Sequence, residues 1–67
     1  MTGLKKLRRS VGLTQVQLAE RCGMRQQDLS RIERGEINPT AKTIRRIAGG
    51  LGIDPGRVLQ AIGEAER

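Results

Sequence analysis

Apolar residues recur along this chain at intervals of three and four, the spacing of a helix face, and no stretch alternates as a strand would. In the first segment Leu4, Leu7 and Val11 carry the stripe, with Lys5, Lys6, Arg8 and Arg9 between them, and Gly12 is the expected stop. A second helix is predicted from about Gln15 to Cys22. Thr14 stands at its cap, Gln17 follows as a capping box requires, and Leu13 and Leu18 flank the cap as a hydrophobic staple. Gly23 takes the turn. A third helix is predicted from about Gln26 to Arg34, with Leu29 and Ile32 inward, Met24 and Leu29 bracketing its start, and Gly35 as the left-handed residue after it. The segment 36–40 reads as a loop, because the residue before Pro39 avoids helix. Thr40 then caps a fourth helix over 41–51, whose inward stripe is Ile44, Ile47, Ala48 and Leu51. Gly49 and Gly50 weaken its last turn by up to about 1 kcal/mol each relative to alanine, and Gly52 closes it. Asp54 and Pro55 are cap and first residue of a fifth helix over 55–62, stapled by Ile53 and Val58. The tail, 63–67, is expected to fray.

Helices this short do not stand alone in water, so their apolar faces must meet around one small core. Its expected members are Leu4, Leu7, Val11, Leu18, Ala19, Cys22, Leu29, Ile32, Ile44, Ile47, Ala48, Leu51, Val58, Leu59 and Ile62. At 67 residues the chain forms one domain, 1–67, near the lower size limit for a self-sufficient core. One cysteine and no histidine exclude an intrachain disulfide and an ordinary zinc cluster, so regular helix packing must suffice, with or without a partner chain. The lone Cys22 is expected in the core and fits a reducing, cytoplasmic setting. No apolar run is long enough to span a membrane, and the basic start lacks the apolar region of a signal peptide. Met1 and the polar tail are what a complete small protein would show.

The formal charge of +6 points to a polyanionic partner through phosphate neutralisation, although a soluble basic surface is the plainer reading of charge alone. The stretch 14–35 sharpens it. Ala19, on the inner side of the second helix, lets a crossing helix approach, and Gly23 takes positive φ without a Cβ clash. That is a helix-turn-helix. Opposite the inward Leu29 and Ile32 lie Gln27, Ser30, Arg31 and Arg34, with Gln26 on the flank. A merely solvated face usually mixes Glu with Lys. This one carries no carboxylate, and its glutamines and arginines pair with adenine and guanine edges. Arg25 occupies a cap position where Ser, Thr, Asp or Asn would be about 0.5–2 kcal/mol better. It is expected to touch a phosphate or base edge; tolerated drift is the alternative. Gln15 starts the second helix, where free N–H groups receive a phosphate, and is placed to brace Gln26. Glu33, beside the buried Ile32, needs a cation, and Arg8 is the natural partner, clamping the first helix to the third.

The run Leu7-Arg8, Gly12-Leu13-Thr14-Gln15, Leu18-Ala19, Gly23, Leu29-Ser30-Arg31-Ile32-Glu33 and Gly35 closely resembles the lambdoid repressor/Cro family, the XRE-type helix-turn-helix. With the fourth helix, Leu51-Gly52-Ile53-Asp54 and Val58-Leu59, the resemblance covers nearly the whole chain. It implies an all-α, compact five-helix, lambda-repressor-like DNA-binding domain whose third helix enters the major groove. By that resemblance Gln26, Gln27, Ser30 and Arg31 face bases, Gln15 holds a phosphate, and Arg8–Glu33 matches a family ion pair. The consecutive Gln26-Gln27 looks like one repressor branch. Three departures stand out. The family often has Ser or Thr where Arg25 stands, Cys22 fills a usually aliphatic position, and Glu36-Ile37 replace charges that are often basic. Asn38, Thr40 and Lys42 are the remaining candidates for phosphate contacts from that region.

Catalysis has no support: there is no nucleophile–base pair and no metal-ligand cluster, and no cofactor is implied. The absence of aromatics argues against single-strand or loop-RNA binding. The expected function is sequence-specific binding of double-stranded DNA in transcriptional regulation, as repressor or autoregulator. One helix reads few base pairs, so such modules bind as dimers on half-sites about 34 Å apart, and Val58, Leu59 and Ile62 of the fifth helix are the expected contact. Two alternatives are an antitoxin-type module that also binds a toxin, and the DNA-binding portion of a longer regulator.

Overall fold

The computed structural model describes residues 3–65, which form five helices and no strand: α1 Gly3–Ser10, α2 Gln15–Cys22, α3 Gln26–Glu33, α4 Ala41–Leu51 and α5 Pro55–Ala65. Their starts follow the local chemistry of the sequence. The Thr14 hydroxyl accepts from the Gln17 N–H at 3.1 Å, and the Gln17 side-chain oxygen accepts from the Thr14 N–H at 2.9 Å, so the capping box is complete. The Thr40 hydroxyl accepts from the Thr43 N–H at 3.2 Å, and Asp54 Oδ1 accepts from the Gly56 N–H at 2.7 Å. The ends differ slightly from expectation. α3 stops at Glu33 with Arg34 as its cap. Gly35 takes φ +76°, its N–H reaches the Ile32 carbonyl at 3.1 Å, and the Glu36 N–H reaches the Arg31 carbonyl at 2.9 Å. Those two bonds satisfy carbonyls that the end of a helix leaves open. α5 continues to Ala65, so 63–65 is helical; 66–67, the rest of the expected frayed tail, lies outside the described residues.

Each helix sends one side chain into the fully buried centre: Leu4, Leu18, Leu29, Ile47 and Val58. Burying a side chain of this kind is worth about 1.5–3 kcal/mol. Ala19, Cys22, Ile32, Ala48 and Leu51 surround them, with Leu7, Leu13, Met24, Ile44, Ile53 and Ile62 half-buried at the margin. Two expected core residues are outside. Val11 is 46% exposed because α1 stops at Ser10, which takes Val11 off the helical stripe. Leu59 is 58% exposed because Val58 and Ala61 set the inward direction of α5, and Leu59 is turned about 100° from Val58. Ala61, 1% exposed, is a core member that its small size hides in the sequence.

Two backbone approaches depend on missing Cβ atoms. α1 lies on α5 so closely that a Cβ on Gly3 would sit 2.3 Å from the Ala61 carbonyl oxygen. Where α4 crosses α2, a Cβ on Gly50 would lie 2.7 Å from Cys22 Sγ. Cys22 is a free, buried thiol; burial pushes its pKa up, and a hydrogen bond with the Gly50 backbone offsets part of that. It is a small core side chain. The scaffold formed by α1, α4 and α5 thus holds α2, and α2 holds α3 through the turn at Gly23, whose φ is +67°. No helix among the described residues is long and apolar enough to cross a membrane.

Candidate nucleic-acid interface

The outward side of α3 forms a shallow depression lined by Gln15, Gln26, Gln27, Ser30, Arg31 and Arg34. α3 is inserted by Leu29 and Ile32, so the positions between them point outward. No carboxylate lines the depression. The acidic residues of α3 are placed elsewhere: Asp28 is half-buried on another side, and Glu33 is 3% exposed.

Glu33 anchors one end of this face. Arg8 Nε donates to Glu33 Oε2 at 2.7 Å and Arg8 Nη2 to Glu33 Oε1 at 3.1 Å, a two-bond pair that is buried on both sides. Arg8 Nη1 also donates to the Leu13 carbonyl at 2.7 Å, tying the α1–α2 turn into the same clamp. Gln15 Nε2 donates to Glu33 Oε1 at 3.2 Å, and Gln26 Nε2 donates to Gln15 Oε1 at 3.5 Å. A continuous polar chain therefore runs from α1 through Glu33 and Gln15 to the first residue of α3. It orients both amides: Gln26 turns an N–H toward Gln15, which leaves its carbonyl oxygen and second N–H for other partners.

The other end is held differently. Arg34 Nη1 donates to Ser30 Oγ at 2.6 Å, and Arg34 Nε pairs with the Glu36 carboxylate. The partnered side chains Gln26, Ser30 and Arg34 follow each other at intervals of four, one ridge of the helix. Gln27 and Arg31 form the next ridge, exposed and with no partner among the described residues.

The remaining sequence candidates lie apart. Arg25 caps α3 through its backbone alone, with no side-chain capping bond. It lines a separate groove with Glu20, Asp28, Asn38, Thr40 and Arg46, so the structure does not join Arg25, Asn38 or Thr40 to the α3 depression. The Thr40 hydroxyl is already engaged in capping α4. Lys42 is exposed on the first turn of α4. Near Gln15, a cleft between α1 and the start of α2 is lined by Lys5, Arg8, Arg9 and Thr14, which adds Lys5 and Arg9 to the cations beside that helix start. Glu36 is the residue that sequence reasoning missed. It reads as a lost basic charge in a loop, and only the turn at Gly35 brings its carboxylate back to Arg34.

Among the described residues no cluster of His, Cys, Asp or Glu is arranged to hold a metal ion. A family description for helix-turn-helix proteins matches residues 4–58, from the first buried leucine of α1 into α5. The immunity repressor protein of Bacillus phage phi105 is 39% identical over 56 residues, which cover 84% of this chain and 39% of the repressor. An uncharacterized HTH-type transcriptional regulator of Sinorhizobium fredii is 48% identical over 48 residues, 72% of this chain and 62% of that protein. A third, from Methanothermobacter thermautotrophicus, is 39% identical over 51 residues, 76% of this chain and 74% of its own length. The chain thus spans less than two thirds of the first two relatives. No solved structure matches it. The match takes in both helices of the motif, the turn between them and the scaffold that carries them: the chain belongs to the XRE-type helix-turn-helix family.

Proposed function

We propose that this domain binds double-stranded DNA in a sequence-specific manner and regulates transcription, with α3 in the major groove. The carrying observation is the carboxylate-free α3 depression of Gln15, Gln26, Gln27, Ser30, Arg31 and Arg34 on a chain of net charge +6. The names of the relatives, a repressor and two transcriptional regulators, support the same reading. In this arrangement the start of α2, with Gln15, takes a backbone phosphate. Gln27 pairs with an adenine edge and Arg31 with a guanine edge. These two residues are one helical turn apart, about 6 Å along the axis, so they address positions about two base pairs apart. Arg25, Asn38, Thr40 and Lys42 lie outside the depression and serve as flanking phosphate contacts.

Two copies would read two half-sites. Val58 takes no part in that contact, since it is 0% exposed. Among the described residues Leu59 is the exposed large apolar side chain of α5, with Ile62 half-buried, and it borders a small hollow with Ala41, Ile44, Pro55 and Gly56. The partial coverage of the phage repressor favours a second reading of scale only: the same DNA-binding module within a longer regulator.

Selection from a random duplex library supplies the test site. On it, Gln27→Ala should cost about 1–3 kcal/mol, and much less on a scrambled duplex. Equal losses on both would reject base readout. Affinity should fall steeply with salt; a flat response would remove the DNA reading altogether.

A further inference from the structure

We propose that Glu36 is an affinity-limiting residue: it neutralises Arg34 at the edge of the reading face and so removes a sequence-independent phosphate contact. This rests on the DNA-binding reading and refines it. Arg34 lines the α3 depression, and its guanidinium has two named partners, Ser30 Oγ at 2.6 Å and the Glu36 carboxylate. Both charged side chains are about half exposed, at 57% and 53%, so the pair stands in solvent where a phosphate would arrive. An exposed pair of this kind contributes little to folding. Its effect lies in the field that it presents. An unpaired arginine at this position would meet any phosphate, whatever the sequence, and each such contact strengthens binding without discrimination. With Glu36 in place, the approaching phosphate meets a compensated charge and a carboxylate that repels it. Arg31, one turn away and without a partner among the described residues, keeps its full charge for a base edge.

The geometry also fixes Arg34 in space. The Nε–carboxylate bond and the Nη1–Ser30 bond hold the guanidinium along the α3 axis, over its own preceding turn. Held there, it orders Ser30, whose hydroxyl proton stays free to donate. The turn at Gly35 makes this possible, because it reverses the chain just after Arg34 and returns Glu36 to the same face.

The test compares wild type with Glu36→Gln on the selected duplex and on a scrambled duplex, across a salt series. The Glu36→Gln protein should bind the scrambled duplex about three- to tenfold more tightly, with a salt slope steeper by about one. The selected duplex should gain by a similar factor, because a phosphate contact is indifferent to sequence, so the specificity ratio is retained. Arg34→Ala in the Glu36→Gln background should abolish the gain, since the released cation is Arg34. Unchanged affinity on both duplexes, a gain confined to one of them, or a gain that survives Arg34→Ala would each overturn the proposal. Wild type that binds no duplex even at low salt would instead remove the DNA reading on which it depends. Thermal melts of each variant establish that the fold is retained.

Discussion

Gly49 and Gly50 are adjacent in α4, yet replacing them by alanine should have opposite effects. Both sit in helix and neither takes positive φ, so alanine gains the usual helix advantage of about 0.5–1 kcal/mol at each. Nothing lies within 4 Å of a Cβ built on the exposed Gly49. Gly49→Ala should therefore raise stability by nearly that full amount, or about 3–6 °C in Tm for a domain this small. On Gly50 the new Cβ lands 2.7 Å from Cys22 Sγ, 3.0 Å from Leu18 Cδ1 and 3.3 Å from Arg21 Cβ. Cys22 and Leu18 are buried, so neither can swing into solvent. Overpacking of this kind costs about 1–3 kcal/mol, which leaves Gly50→Ala destabilising by up to about 2.5 kcal/mol after the helix gain. Thermal and urea melts of both variants measure the signs. Because the strain is assigned to Sγ, Cys22→Ala should rescue Gly50→Ala with a coupling of about 1 kcal/mol in a double-mutant cycle. If Gly50→Ala stabilises as much as Gly49→Ala, or if Cys22→Ala gives no rescue, the assignment of Gly50 as a packing glycine is wrong. The result bears on function, because this crossing sets α2 and hence the tilt at which α3 is presented.

Two further perturbations separate scaffold from surface. Arg8→Ala or Glu33→Ala should each cost about 3–5 kcal/mol, because each leaves a buried charge without its partner. Arg8→Met with Glu33→Leu should cost far less than the sum, and additive losses in the melts would disprove the pairing as the cause. Leu59→Glu should leave the Tm nearly unchanged while weakening dimerisation and binding to a two-half-site duplex; unaltered light scattering and affinity would discard α5 as the dimer contact.

Much of the fold was legible because it depends on neighbours in sequence. Thr14 with Gln17, Thr40 before Ala41, and Asp54-Pro55 specify helix starts through bonds that span three residues or fewer, and Gly23 and Gly35 specify the turns. The outward face of α3 was equally readable, since two inward residues fix the rotation of a helix. Positions whose fate depends on another helix were not. Val11 and Leu59 carry the composition of core but stay exposed, Val11 because α1 ends at Ser10 and Leu59 because Val58 and Ala61 set the inward side of α5, while Ala61 is core because Gly3 lets α1 approach. Gly50 looked like a weakness in α4 until Cys22 was placed against it. Arg25, expected to touch a phosphate or base edge, opens onto a groove separate from the α3 depression.

The division follows the range of the forces involved. Periodicity, caps and turn glycines are local, so the chain alone determined five helices, a helix-turn-helix and a basic reading face. The polar chain from Arg8 through Glu33 and Gln15 to Gln26, and the return of Glu36 to Arg34, bring together groups whose approach only packing and the turn at Gly35 establish. On that face Gln15 and Gln26 are held by contacts that only packing establishes, because hydrogen bonds act over about 3 Å whatever the sequence distance, whereas Arg34 is held by its chain neighbours Ser30 and Glu36.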